Sequence, residues 1–214
     1  PAAEMTLSVV SNPVRTLAHW IPVSRQILDD VDQLRAHVNS RMIESLVLAE
    51  ETQLLYGDGS SDQINGILVD SDVPLYTAGS GESKLDSVRK AITFAQKAHY
   101  PVDGVILNPD DWEDIEMLKV GDSDERYVWA SVPDGGEMRI WRAPVVLTTA
   151  IRAGTALVGA FRLGATLYDR EQASVRISDS HSDYFTKNMV AVLAEERLAL
   201  AIHRPQSFVE IKFD

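Results

Sequence analysis

Three features of the sequence predict an α+β chain. Residues 30–56 carry one unbroken helical period, residues 83–160 alternate helix and strand signals, and residues 166–213 are almost wholly strand-like. At 1.5 Å per residue the first of these spans about 40 Å, roughly the width of a small domain, which suits a strut better than the filler of one core.

In chain order, residues 4–10 alternate with Met5, Leu7 and Val9 on one side, and residues 14–24 alternate again after a turn at Asn12-Pro13. Together they read as an extended arm, which lies either beside the strut or on a partner surface. His19 in this arm is expected to be a polar side chain with a local partner, not a metal ligand. The strut opens on Asp30 and Gln33, spaced as a capping box. Val31, Leu34, Val38, Met42, Leu46 and Ala49 form its apolar face, with Arg35, Asn39, Arg41, Glu44 and Glu50 between them. It stops at Gly57-Asp58-Gly59, where glycine permits a left-handed cap. Residues 57–83 then read as a connecting loop with a strand or two. Its scattered Asp58, Asp62, Asp70 and Asp72 lack calcium-loop spacing and are expected to be solvated.

A second helix starts at Ser83, shown by Leu85, Val88, Ile92 and Ala95, and ends before Pro101. A strand over 104–107 leads to Asn108-Pro109, a capping side chain ahead of a first-turn proline, and to a third helix with Trp112, Ile115 and Leu118 buried. A loop at 121–126, a hairpin through Gly135-Gly136 and strands at 139–141, 144–148 and 156–160 complete a mixed unit. The last quarter reads as strands over 166–177, 187–203 and 207–213, with a polar turn at 178–183. Val190, Val192, Ala194, Leu198, Leu200 and Ile202 share one apolar face with Glu196, so that carboxylate is expected to be buried and to need a partner. Glu195 falls on the opposite face with Met189 and Arg197, unless a bulge reverses the assignment.

Composition excludes several functions. The 214 residues are 45% hydrophobic and 24% charged, enough for one large or two small cores. A formal net charge of −12 repels phosphate backbones and anionic membranes, so sequence-specific nucleic-acid binding and membrane association are not expected. The absence of cysteine removes disulfides, thiolate chemistry and cysteine-held metals. No nucleophile elbow, phosphate loop, dinucleotide fingerprint or paired-histidine helix occurs, and no cofactor or metal is expected. Acidic pairs at Glu50-Glu51, Asp110-Asp111 and Glu195-Glu196 leave a soluble enzyme with an acidic pair as one alternative, although adjacent surface charges are ordinarily just solvated. Because residue 1 is Pro1, the sequence reads as a processed or trimmed piece.

Six collinear stretches carry a resemblance to a known family: 14–30 (VRTLAHWIPVSRQILDD), 50–67 (EETQLLYGDGSSDQINGI), 104–112 (GVILNPDDW), 141–146 (WRAPVV), 167–170 (LYDR) and 183–205 (DYFTKNMVAVLAEERLALAIHRP). Over essentially its whole length the chain resembles the major capsid proteins of tailed double-stranded DNA bacteriophages, the Hong Kong 97 type. The resemblance implies a bipartite subunit. Residues 1–16 would be the remnant of an extended β arm, 17–61 with 160–202 a peripheral domain with the spine helix 30–56, and 62–159 with 203–214 an axial domain. The turn at 178–183 would contact neighbours near threefold positions. It further implies self-assembly into hexamers and pentamers of an icosahedral shell around packaged DNA, in the host bacterial cytoplasm and then in the virion. Scaffold, maturation protease and portal proteins are the other implied partners.

Some members of that family weld their shells through an isopeptide bond between a lysine and an asparagine of different subunits, assisted by a glutamate. By position the resemblance nominates Asn188 and Glu195, with the lysine falling just before Pro1, whereas periodicity nominates Glu196 as the buried acid. The chemistry needs a deprotonated amine, an amide carbonyl and a carboxylate in a dry pocket to take the proton. The plain alternative is a hydrogen-bonded asparagine and a paired surface glutamate. Seven residues apart on a regular strand, Asn188 and Glu195 would face opposite ways, so joint chemistry would have to use different subunits.

Overall fold

The computed structural model describes residues 11–26, 32–121, 124–127 and 138–213. In chain order the elements are β1 (Arg15–Ser24), α1 (Asp32–Tyr56), β2 (Leu75–Thr77), α2 (Lys84–Lys97), β3 (Gly104–Leu107), α3 (Pro109–Glu116), β4 (Lys119–Gly121) and β5 (Asp124–Tyr127). They continue with β6 (Arg139–Ile140), β7 (Ala143–Leu147), β8 (Thr155–Gly159), α4 (Phe161–Gly164), β9 (Ala165–Ser178), α5 (Tyr184–Lys187), β10 (Met189–Ile202) and β11 (Phe208–Lys212). They form two compact units, one from the residues up to Leu46 with Leu167–Ala201, the other from Val47–Thr166 with Ile202 onward.

The long helix is continuous over 25 residues. Its buried stripe is narrower than the periodicity predicts. Met42, Leu46 and Leu55 are buried, but Ala49 is exposed, as are Ile43, Val47 and Leu48 on the other side. The expected cap at Asp30, Val31 beside it and the side chains of Gln33 and Leu34 lie outside the described residues. Glycine follows the helix at residue 57 because of crowding, not because of a left-handed conformation. A side chain on Gly57 would put a Cβ 2.2 Å from the Ile64 carbonyl oxygen, while the left-handed residue, Gly59, comes two places later.

The first unit is a three-stranded sheet in the order β1-β10-β9. β1 runs antiparallel to β10 in unshifted register from Arg15 opposite Leu198 to Ser24 opposite Met189. Without a bulge the alternation of β10 holds as far as Leu198: Val190, Val192, Ala194, Glu196 and Leu198 are buried and Arg197 is exposed, whereas beyond it Ala199, Leu200 and Ala201 are buried in succession and Ile202 is half-buried. The expected strand over 4–10 lies outside the described residues.

The second unit is built on a mixed six-stranded sheet, β2-β11-β8-β3-β7-β6, in which β8 is antiparallel to both β11 and β3. One face packs Val105, Leu107, Val158, Val209 and Ile211 against Val88, Ile92 and Ala95 of α2 and Trp112 and Ile115 of α3. Side chains cap both helices as their sequences predict. The Ser83 hydroxyl accepts from the Asp86 amide at 3.1 Å, and the Asn108 side chain accepts from the Asp110 amide at 3.0 Å while donating to the Ile151 carbonyl at 2.7 Å. Leu118 falls beyond the end of α3 and is half-buried, and the segment expected as a loop from 121 forms the paired strands β4 and β5. The hairpin expected through Gly135-Gly136 lies outside the described residues.

Two polar networks complete this unit, and the first revises the expectation that the Asp110-Asp111 pair is simply solvated. Asp111, 1% exposed, accepts from the Lys84 ammonium at 2.6 Å and from the Gly154 amide at 2.9 Å. Burial alone would lower the Lys84 pKa, but the hydrogen bonds to Asp111 and Asp114 outweigh it and raise it. The Glu82 carboxylate accepts from Lys90, Ser87, Tyr76 and the Gly79 amide. The Lys90 ammonium foremost, then Ser87 and Tyr76, overcome desolvation and hold Glu82 down to about 2. In the loop after α1, Asp58 and Asp70 accept from the amides two residues on, as turn-forming aspartates do.

Candidate functional site

The residues singled out in the sequence lie on and after the turn that joins β9 to β10. Arg25, just past β1, holds both ends of this turn. Its guanidinium pairs with Asp179, and its amide donates to the Asn188 carbonyl at 3.1 Å. Between them His181 packs on Trp20 of β1, ring centroids 4.8 Å apart, and meets Tyr184 edge-on at 5.1 Å. Lys187 pairs with Asp183 at 2.6 Å, which lowers the pKa of Asp183 and raises that of Lys187. On the one-turn helix α5 the Phe185 ring projects, 79% exposed.

Asn188 closes α5 in the left-handed conformation, φ 55° and ψ 41°, a role for which asparagine is suited. Lys187 and Asn188 therefore end a helical turn instead of opening the strand, contrary to the expectation of a strand from 187. Glu195 lies seven residues further, at about 3.3 Å per strand residue some 20 Å away, so one chain does not bring the two together. The Glu195 side chain, 21% exposed, is paired with the Arg176 guanidinium at 2.9 Å, and Arg176 also reaches Glu171 at 3.2 Å. Glu196 is 7% exposed and stands opposite Leu17 of β1. Its burial follows from unbroken alternation, the reading periodicity gave.

His19 is half-buried on β1, and no group of three or more His, Asp or Glu side chains among the described residues is arranged to hold a metal ion. No helix among them is long and apolar enough to cross a membrane. The Lys84–Asp111–Asp114 cluster escaped the sequence reading, because its members lie 27 and 30 positions apart and no local spacing announces them.

The sequence matches the model of the phage capsid family over residues 1–213. The chain belongs to the phage capsid family. The major capsid protein of Enterobacteria phage HK97 is 36% identical over 214 residues, all of this chain and 55% of that protein. This family member thus spans about half the length of the curated relative it matches. Among solved structures, the capsid of an empty GTA particle aligns with a TM-score of 0.73 at 20% identity, over 100% of this chain and 80% of that one. A structure from Gordonia phage Cozz aligns with a TM-score of 0.74 at 14% identity, over 100% and 78%. At these identities the likeness speaks for the fold, a mixed α+β arrangement common to phage capsid family members and to this chain.

Proposed function

We propose that this chain forms the body of a major capsid subunit, which assembles with copies of itself into the hexamers and pentamers of an icosahedral bacteriophage shell around packaged double-stranded DNA. The family match over residues 1–213 carries the reading. Its physical support is the net charge of −12, since a container wall that bound DNA strongly would hinder both filling and release. In this reading residues 1–16 belong to an extended arm, 17–61 with 160–202 to a peripheral domain whose spine is the helix 30–56, and 62–159 with 203–214 to an axial domain. Copies of the chain are its main partners, with scaffold, maturation protease and portal proteins acting during assembly in the host cytoplasm.

Electron microscopy of the complete gene product tests the proposal. Closed particles of uniform size are the expected result, and a complete product that stays monomeric at high concentration would overturn it. Denaturing electrophoresis of such particles tests the crosslinking variant. That variant requires a lysine of the complete product to meet Asn188 of another copy beside Glu195 or Glu196, so that the amine displaces the side-chain nitrogen of Asn188 as ammonia, and it predicts ladders of linked chains.

A further inference from the structure

We propose that the outer edge of β9 is a self-complementary docking strand, which pairs antiparallel with β9 of a second copy about a twofold axis through Gln172. The strand is 14 residues long and none of them is buried. It is bonded to β10 on one side, and no strand among the described residues covers its other side. Among the described residues, half of its amides and carbonyls therefore point outward without a ladder, an arrangement that proteins ordinarily blunt with charged side chains, proline or a bulge. The opposite edge of the same sheet is blunted in this way, since β1 carries Pro22. β9 carries no proline, glycine or lysine, and its four charged residues, Asp169, Arg170, Glu171 and Arg176, are of both signs, so that they bar a partner only in registers that set like charges opposite.

Its sequence also specifies the register. Facing pairs in an antiparallel ladder alternate between hydrogen-bonded and non-bonded kinds, so a twofold axis between identical strands must pass through a residue that faces its own copy. With Gln172 on the axis, residues 166–178 overlap. Leu167 then faces Ile177, Tyr168 faces Arg176, and Asp169, Arg170 and Glu171 face Val175, Ser174 and Ala173. Exposed apolar side chains meet each other, an aromatic ring meets a guanidinium, and no like charges stand opposed. Moving the axis to Arg170 or Glu171 places each charge on its own copy, and moving it to Ala173 sets Arg170 against Arg176. Axes further toward either end shorten the overlap. The inference rests on the self-assembly reading only for the identity of the partner.

The chain has no cysteine, so single-cysteine variants report the register directly. In the proposed pair Gln172→Cys brings two sulfurs together across Cα atoms about 5 Å apart, within the span of a disulfide. Leu167→Cys places its two copies about 30 Å apart. Under mild oxidation Gln172→Cys is expected to become a disulfide dimer while Leu167→Cys does not. Gln172→Lys, at an exposed position that leaves the circular dichroism unchanged, is expected to weaken the reduced dimer roughly tenfold by facing like charges. Equal crosslinking of the two cysteine variants, or none in either, would overturn the proposal. If particles form from the complete product while Gln172→Cys stays reduced, the self-assembly reading stands and the β9 pairing fails. If Gln172→Cys crosslinks in a product that forms no particles, the reverse holds.

Discussion

β8 and β9 are neighbours in the chain, separated only by the short turn α4, and they are built for opposite ends. β8 is bonded on both edges, to β3 and β11, and four of its five residues are buried. Among the described residues β9 is bonded on one edge, and it buries none of its fourteen. The first is a strand whose side chains contribute to folding, while the side chains of the second stay at the surface. The same contrast holds for charges. Asp111 is withdrawn from water and held by Lys84, whereas Arg176 meets Glu171 and Glu195 on an open face.

The contrast is broken most directly by one substitution on each strand. Leu157→Ala in β8 removes a fully buried side chain and is expected to cost about 3 kcal/mol in urea unfolding, whereas Leu167→Ala in β9 should change it by less than about 0.5 kcal/mol. Equal losses would mean that β9 is covered within the monomer.

The charged pairs sharpen it. Lys84→Met strands a carboxylate that has no access to water and is expected to cost about 2 to 3 kcal/mol, most of it recovered when Asp111→Asn is added. Arg176→Ala breaks two exposed pairs and should cost under about 1 kcal/mol. The double-mutant cycle is the decisive measurement, and additive losses at Lys84 and Asp111 would show that they do not act as a pair.

The elements of the second unit were legible because their signals are local. Ser83 and Asn108 stand where helices begin, and the spacing of Val88, Ile92, Trp112 and Ile115 marks the faces that turn inward. The continuity of α1 was also legible, but its buried width was not. Periodicity says which residues share a face, not how much of that face a neighbour covers, so Ala49 lies outside the stripe. Adjacent acids misled for a related reason. Asp110 and Asp111 look alike in the sequence, and only Lys84 and the Gly154 amide, both far away in the chain, explain why the second can be buried. In β10 strict alternation was enough to bury Glu196, because β1 pairs with it without a bulge.

Acid should weaken the second unit through Glu82. Its folded pKa, about 2, lies below the unfolded value of 4.5. The stability it contributes is therefore present above pH 4.5 and is lost as pH falls toward 2. Glu82→Gln is expected to be less stable at neutral pH and to show a shallower decline across that window, followed by circular dichroism at a fixed urea concentration. Parallel slopes for the two proteins would rule out Glu82 as a source of the acid response.

The smallest expected effect has the opposite sign. The sequence reads as a strand through Trp141, yet the backbone turns there. Trp141 and Arg142 take φ values of 48° and 74°, and the residues on either side, Ile140 and Ala143, face each other in the β6–β7 ladder. A two-residue hairpin with both central residues left-handed is ordinarily built from Asn-Gly, because other side chains are strained in that region. Trp141 is held in place from outside. Its indole N–H reaches the Leu85 carbonyl at 3.4 Å, and the Arg89 guanidinium lies 5.9 Å from the ring centroid. No comparable tether is seen for the Arg142 side chain among the described residues. Arg142→Gly should relieve its strain and raise stability by about 0.5 kcal/mol, whereas Trp141→Gly, which also removes the contacts to α2, should lower it. A loss on Arg142→Gly in urea unfolding would show that the arginine side chain supports the turn.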